Sequence, residues 1–175
     1  MGKRHQLVFE VDKLTNSIEN ILTGEVLETE VVRLKPDDAH RLKEGDWAFD
    51  WSLELQEPRR EVFKLTTREN PSVIQGLISI GEEQDHVYMY LLESASFNVG
   101  HRKIYAGVAG NLVAFACKTS FERGHQGVVA FESKTRLVEH YEKTLKAQRF
   151  SYQGMFIDPK DAFDLVKRYF PDFEI

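Results

Sequence analysis

The sequence has few of the residues that build covalently or metal-stabilised scaffolds. Its 175 residues include one cysteine, Cys117, which excludes an intrachain disulfide and a cysteine-rich zinc site. The six histidines have no His-Glu-x-x-His pattern or other paired spacing, so we expect no bound metal ion. A chain without cysteine pairs is typical of a reducing compartment, and we expect a cytoplasmic protein.

Long apolar runs and an excess of positive charge are also missing. Residues 1–6 lead into a strand-like segment without the apolar core of a signal peptide. No stretch approaches the roughly 20 apolar residues that span a membrane. There are 23 Lys and Arg against 28 Asp and Glu, a formal net charge of −5, whereas nucleic-acid binders usually present a basic face. We therefore expect neither membranes nor nucleic acids among its partners.

The composition is that of a folded domain. Apolar residues make up 42% of the chain and charged residues 29%, which excludes the disordered and low-complexity classes. The length suits one hydrophobic core, and no change of composition divides the chain. The sequence therefore predicts a single domain over residues 1–175.

The first 60 residues alternate between short segments of different period. Apolar residues recur at helical spacing between Leu14 and Leu22, which predicts a helix there. From Trp47 to Leu55 they alternate with polar residues, which predicts an extended segment with one aromatic face. The other elements predicted in this part are strands over 6–11 and 28–34 and a helix over 36–45.

The rest of the chain has stronger patterns. Strand-like segments separated by turn residues predict an antiparallel meander over 61–67, 73–80 and 86–93. A long run with a wide apolar face predicts a buried helix over 108–123. The unbroken apolar run after Gly127 predicts a strand covered on both faces, which is typical of parallel pairing through a crossover helix. Helices over 135–145 and 161–170 and a strand over 150–157 complete the predictions.

Small residues cluster where the predicted central helix begins. Gly107, Ala109 and Gly110 leave room for a phosphate to approach the unpaired N–H groups of the first helical turn, at the positive end of its dipole. Arg102 and Lys103 could add countercharge. Tight packing of the helix against the sheet is the alternative explanation of the same glycines.

The order of elements around these glycines resembles the GNAT superfamily of acyl-CoA-dependent N-acetyltransferases. In that family a strand, a phosphate loop, a central helix, a strand and a tyrosine-bearing helix follow each other, as they do here from Val87 to Phe150. Ile104 stands where the family's loop has Gln or Arg, and Lys146 where its last helix closes on glycine. The runs that carry the resemblance are Gly107-Val108-Ala109-Gly110-Asn111-Leu112 and His140-Tyr141-Glu142-Lys143. Phe49-Asp50-Trp51 and Ala114-Phe115-Ala116-Cys117 are also similar to runs in a GNAT-like group of Bacteroidetes proteins.

The resemblance implies an α/β (α+β) fold with a mixed, mostly antiparallel central sheet and helices on both faces. It implies that acetyl-CoA or CoA binds, and that an amine of a small molecule or protein attacks the thioester directly. The implied cofactor-binding residues lie at a strand end and at the start of the central helix. They are Leu92, Glu93 and Ser94, then Arg102, Lys103, Tyr105, Ala106, Gly107, Val108, Ala109, Gly110 and Asn111.

Two residues are candidates for proton transfer. A lysine-like amine has a pKa near 10.4, so about one molecule in 10³ is neutral at pH 7 and a base is needed. Glu93 is the candidate base, or else a solvated strand-end carboxylate. By the resemblance Tyr141 protonates the departing thiolate, or else it is an ordinary packed tyrosine. Trp47, Phe49 and Trp51 wall the acceptor pocket or belong to the core.

Two functions remain open at this point. The first is an N-acetyltransferase that uses acetyl-CoA. The second is a catalytically inactive GNAT-like module that binds CoA or another protein, as Ile104 at the basic position permits. Phe163, Tyr169 and Phe170 could also anchor a homodimer, although packing within the chain explains these residues equally well.

Overall fold

A computed structural model describes residues 4–175, and within that range the chain forms eleven β-strands and five α-helices. The strands are β1 (Gln6–Leu7), β2 (Ile18–Asn20), β3 (Val26–Leu27), β4 (Thr29–Arg33), β5 (Glu61–Thr67), β6 (Gly76–Glu82), β7 (Val87–Ser94), β8 (Tyr105–Ala106), β9 (Val129–Ser133), β10 (Gln148–Arg149) and β11 (Gly154–Ile157). The α-helices are α1 (Ala39–Lys43), α2 (Trp51–Gln56), α3 (Val108–Glu122), α4 (Val138–Thr144) and α5 (Pro159–Tyr169). Short 3-10 helices span Pro36–Asp38, Ser96–Asn98 and Thr135–Leu137.

The main sheet is mixed and mostly antiparallel, as predicted. From one edge to the other its strands run in the order β10, β11, β9, β7, β6, β5, β4, and β1 is attached to β9. The pairs from β4 to β7 are antiparallel, and so are the pairs of β9, β11 and β10. Within residues 4–175 the parallel pairs are those of β7 and β1 with β9. The predicted βαβ unit is therefore β7, α3 and β9.

The central helix α3 is buried on almost all sides. It packs against β6 and β7 on one side and against α5 on the other, and Leu112, Val113 and Cys117 have no exposed surface. Burial raises the pKa of the Cys117 thiol, which stays protonated. Cys117 is a core residue, as its position in the predicted helix indicated.

The C-terminal helix α5 is amphipathic. Its start is fixed by Asp158, whose carboxylate accepts a hydrogen bond from the amide of Asp161 at 2.9 Å. Tyr169 is buried, and the ring of Phe163 contacts that of Phe121 at 6.2 Å between centroids. These rings pack within the chain, and the homodimer stays a prediction. None of the helices described for residues 4–175 has the length and apolar composition of a membrane-spanning segment.

The helix predicted over 14–22 was wrong. Ile18 belongs to β2, which pairs with β3 and β8 in a small separate sheet. Ile18 is fully buried but Leu22 is 95% exposed, so the apolar residues do not share one face. The side chain of Asn20 accepts hydrogen bonds from the amides of Leu22 and Thr23, which closes a turn and prevents a helix. The strand predicted over 6–11 is limited to β1.

The extended segment predicted over 47–55 was also wrong, because helix α2 begins at Trp51. Asp50 provides the cap, since its carboxylate accepts hydrogen bonds from the Leu53 amide and the Ser52 hydroxyl. Trp51 and Leu55 lie one turn apart and are buried, whereas Leu53 is 58% exposed. The alternation of apolar and polar residues gave no indication that Asp50 caps a helix. The strands and helices predicted after residue 60 all occur, with shifts of a few residues at their ends.

Candidate functional site

Strands β7 and β9 separate soon after they meet. Val87 faces Val129 and Tyr88 faces Ala130 in parallel register. The register between β6 and β7 then shifts so that Tyr90 is an extra residue in β7. Such a bulge bends a strand away from its neighbour. While β6 holds β7 and β11 holds β9, the two central strands diverge and leave a wedge between them.

Residues 5–17, which we call the N-terminal segment, enter this wedge at β1 and continue to the start of α3. Its strand β1 pairs in parallel with the end of β9, with Gln6 opposite Glu132 and Leu7 opposite Ser133, and it also contacts β7. Leu7, Phe9 and Val11 are at most 7% exposed. Alternate residues of the segment therefore belong to the hydrophobic core.

Tyr141, on helix α4, contacts this segment. Its hydroxyl donates a hydrogen bond to the main-chain carbonyl of Phe9 at 2.6 Å, and the two rings are 4.8 Å apart. Burial raises the pKa of Tyr141, so the hydroxyl keeps its proton and acts as a donor. The neighbouring His140 accepts a hydrogen bond from the amide of Val11 through Nε2 at 2.9 Å.

The N-terminus of α3 is covered by the same segment. The amide of Gly107 donates to the carboxylate of Asp12, at 3.2 Å from Oδ1 and 3.4 Å from Oδ2. The ammonium group of Lys103 lies 3.1 Å from Oδ2. A negative charge is stabilised at the N-terminus of a helix. The chain's own carboxylate thus holds the place that the sequence analysis gave to a phosphate.

The glycines at the start of α3 lie against protein atoms. Gly107 has a φ of +89°, and an added Cβ there would meet the Thr15 hydroxyl and lie 2.7 Å from the carbonyl oxygen of Ser17. An added Cβ at Gly110 would meet the hydroxyl of Tyr169, which itself accepts a hydrogen bond from the Thr15 amide at 3.0 Å. Close packing therefore explains both glycines in this conformation, and a phosphate fits only if the N-terminal segment moves.

The other predicted cofactor residues are spread around the helix start. Ala106 pairs with β2 through Glu19. Asn111 is buried, and its Oδ1 has no hydrogen-bond partner among the described residues. Arg102 is exposed in the loop before β8. Of the remainder, Val108, Ala109 and Leu92 are buried, whereas Tyr105 and Ser94 are half-buried.

Glu93, at the end of β7, anchors the loop before α2. Its carboxylate accepts hydrogen bonds from the amides of Ala48 and Phe49, at 2.7 and 3.2 Å, and from the indole N–H of Trp51 at 2.9 Å. A carboxylate has about four acceptor positions, so these donors occupy most of its capacity. Sequence reasoning missed this anchoring role, because no local pattern links residues more than 40 positions apart.

The aromatic residues beside Glu93 divide between core and surface. Trp51 is 1% exposed and belongs to the core, whereas Trp47 and Phe49 are half-buried. Together with Lys43 they line a cavity of about 360 Å³. Within the described residues no cluster of three or more His, Cys, Asp or Glu side chains could hold a metal ion.

No protein-family model and no curated protein matches the chain. Several solved structures are similar to it in fold. A spermidine N-acetyltransferase SpeG chimera from Vibrio cholerae and hSSAT is 13% identical, with a TM-score of 0.52 over 78% of this chain and 99% of that one. The structure of AtaTR bound with AcCoA is 12% identical, with a TM-score of 0.53 over 79% and 98%. A mutant form of the V. cholerae spermidine/spermine N-acetyltransferase SpeG is 12% identical, with a TM-score of 0.51 over 78% and 97%.

These similarities define the class of fold. The sheet order, the parallel pair around α3 and the likeness to spermidine N-acetyltransferases give this chain the fold of GNAT acetyltransferases. The identities of 12% and 13% support the fold, and activity, cofactor and acceptor require arguments from the site itself.

Proposed function

We propose that this chain is an acetyl-CoA-dependent N-acetyltransferase that acts on an amine of a small molecule or protein. The observation that carries the proposal is the wedge between β7 and β9, which has Tyr141 on one side and leads to the N-terminus of α3. AtaTR, a protein with a similar fold, has a structure that is bound with AcCoA. The fold and the divergent strands together favour a long, thin ligand with an anionic end.

The contacts of the N-terminal segment support the chemistry of this ligand. The carboxylate of Asp12 stands in for diphosphate oxygens, because it accepts from Gly107 and pairs with Lys103. The carbonyl of Phe9 takes the hydrogen bond that Tyr141 offers. Amide and phosphate oxygens of acetyl-CoA could accept the same bonds. The segment and the cofactor cannot occupy the wedge together, so acetyl-CoA binds a form from which the segment has moved.

Each residue then has a defined task. Acetyl-CoA supplies an activated acetyl thioester. Tyr141 holds a proton at its hydroxyl beside the wedge, because burial raises its pKa, and we assign to it the protonation of the leaving sulfur. We assign stabilisation of the oxyanion to the main chain of β7 between Leu91 and Ser94. Removal of the amine proton falls to Glu93, or to a water that it orients through its remaining acceptor position.

The cavity lined by the loop that Glu93 anchors is our candidate acceptor site. The rings of Trp47 and Phe49 line it, and the chain carries a net charge of −5. Aromatic faces favour a cationic amine, and the net negative charge of the chain attracts it at longer range, whereas Lys43 opposes it locally. This supports the amine class without selecting a single compound.

A second function is favoured by one specific observation. The glycines of α3 are fitted to the chain's own atoms, as expected if the N-terminal segment never leaves. In that case the protein is a GNAT-fold interaction module without acyl transfer. Both readings share the fold but differ in whether CoA binds.

Thermal unfolding with added ligand tests the proposal. A ligand at 100 times its dissociation constant stabilises the folded state by about 2.7 kcal/mol, so acetyl-CoA and CoA should raise the melting temperature. Pantetheine, which lacks the diphosphate, is the matched control and should act more weakly. An assay of thiol release with polyamines and lysine peptides then measures transfer. Binding without thiol release contradicts the transferase, and no binding of CoA at millimolar concentration, including by variants that release the segment, favours the interaction module.

A further inference from the structure

We propose that the N-terminal segment is an internal pseudo-ligand, a part of the chain that occupies the acyl-CoA cleft and must leave before the cofactor binds. This inference rests on the proposed function and adds a regulation of the same site. Cofactor binding and docking of the segment are then mutually exclusive. The apparent affinity for CoA then equals the intrinsic affinity of the open cleft multiplied by the fraction of molecules in which the segment is released.

The path of the segment supports this inference. It enters at β1, between the separated ends of β7 and β9, and it reaches the N-terminus of α3 at Asp12. Between these points Phe9 contacts Tyr141 and Val11 contacts His140. Five extended residues span about 17 Å, so one short stretch connects the two sites assigned to the thioester and the diphosphate.

The groups that the segment presents match those of the cofactor. Its carbonyl at Phe9 is an amide acceptor, and its carboxylate at Asp12 is an anion paired with a lysine and a helix terminus. Its apolar side chains fill the space between the strands. If the segment served only to complete the hydrophobic core, it would not need to place the carboxylate of Asp12 on the amide of Gly107.

Release of the segment would leave both central strands paired with a neighbour on their other side. Strand β9 keeps its antiparallel partner β11, and β7 keeps β6. Pairing of β1 with β9 involves only two residue pairs. Docking also removes the backbone freedom of every residue in the segment, which offsets much of the gain from apolar burial. A ligand that binds only the released form therefore shifts the population toward it.

The chain itself defines where the movement would stop. Ile18 is fully buried, and β2 is held on both sides by β3 and β8. Asn16 is exposed just before this anchor. Residues 5–15 would therefore swing out on a short tether that stays attached to the small sheet.

Titration of CoA into the unmodified chain and three variants tests the inference. Phe9→Ala removes the apolar anchor, and Asp12→Asn removes the charge at the helix without removing any buried apolar atoms. Each should bind CoA at least about 10-fold more tightly than the unmodified chain. Glu10→Gln is the matched control, because Glu10 is exposed in the same segment and makes no described hydrogen bond. It changes net charge equally and should leave the affinity unchanged.

Amide hydrogen exchange gives a second readout that does not depend on Phe9→Ala folding. CoA should accelerate exchange at Val11 and Thr15 in the unmodified chain and slow it in the first turn of α3. If CoA binds with equal affinity to all four proteins while the amides of the segment stay protected from exchange, the pseudo-ligand proposal is overturned. The proposed transferase function is then unaffected. If variants with a released segment still fail to bind CoA at millimolar concentration, both the inference and the proposed function are overturned.

Discussion

The guanidinium of Arg123 donates two parallel hydrogen bonds to the carboxylate of Glu61, at 2.7 and 2.8 Å, and so joins the end of α3 to the start of β5. The hydrogen bonds from Arg123 are the main reason why the pKa of Glu61 lies below its ordinary value. A group whose pKa is lower in the folded state stabilises the fold above its unfolded pKa. That stabilisation is lost as the pH falls through the folded value.

Arg123→Gln should therefore lower the free energy of unfolding by about 1 to 2 kcal/mol at pH 7, allowing for partial exposure of the pair. The difference from the unmodified chain should shrink below about pH 4 as Glu61 becomes protonated. Urea denaturation at several pH values measures this. Arg68→Gln, which breaks an exposed pair with Glu28, is the control and should cost less than about 0.5 kcal/mol. A loss for Arg123→Gln that is independent of pH would contradict the prediction.

Tyr141→Phe should separate binding from transfer. The variant leaves the buried carbonyl of Phe9 without its donor, which should cost about 1 to 3 kcal/mol of stability. In the proposed enzyme it also removes the proton for the leaving thiolate, so kcat should fall by about 10²-fold or more while CoA still binds. Tyr152→Phe, on an exposed residue, should change neither quantity. Unchanged kcat for Tyr141→Phe would remove that residue from the mechanism.

Glu93→Gln should loosen the loop that carries the aromatic residues. Glutamine keeps the shape but has one acceptor oxygen, so at least one of the donors on Ala48, Phe49 and Trp51 loses its partner. We expect a loss of about 1 to 3 kcal/mol and a red shift of tryptophan fluorescence. Stability and spectrum equal to those of the unmodified chain would show that the loop is held by other contacts.

Gly110→Ala tests the packing at the start of α3. Helix propensity alone predicts a gain of up to about 1 kcal/mol, but the new methyl group would collide with the hydroxyl of Tyr169. We therefore expect a net loss of stability, measured by denaturant unfolding. Combining it with Tyr169→Phe should recover part of this loss, with a coupling energy above about 0.5 kcal/mol. If the stability losses of the two substitutions simply add, the methyl group introduced at position 110 does not contact the hydroxyl of Tyr169.

The second half of the chain could be predicted because its signals are local. The apolar run Val128-Val129-Ala130-Phe131 and the wide apolar face of α3 identify a covered strand and a buried helix within a few residues of their observed bounds. The N-terminal segment has no such signal. Its partners Tyr141 and Tyr169 lie 132 and 154 residues away from the residues they contact, and no short period records such contacts.

The candidate site was located only in part for the same reason. The sequence identified Gly107 as the entry to the helix, and the structure gives it a left-handed backbone with an anion on its amide. It could not reveal that the anion is Asp12, since an isolated aspartate after a strand is common in turns. The single domain, the cytoplasmic location and the roles of the individual site residues stay predictions.

Strand β9 pairs with β7 at its start and with β1 at its end. This arrangement also affects the order in which the chain can fold. Residues 5–15 are synthesised long before β9, α4 and Tyr169, so the segment can dock only after most of the chain has been made. A chain in which β7 and β9 have paired before the segment docks has an open wedge. A small molecule present during synthesis could meet that form before the chain closes on itself.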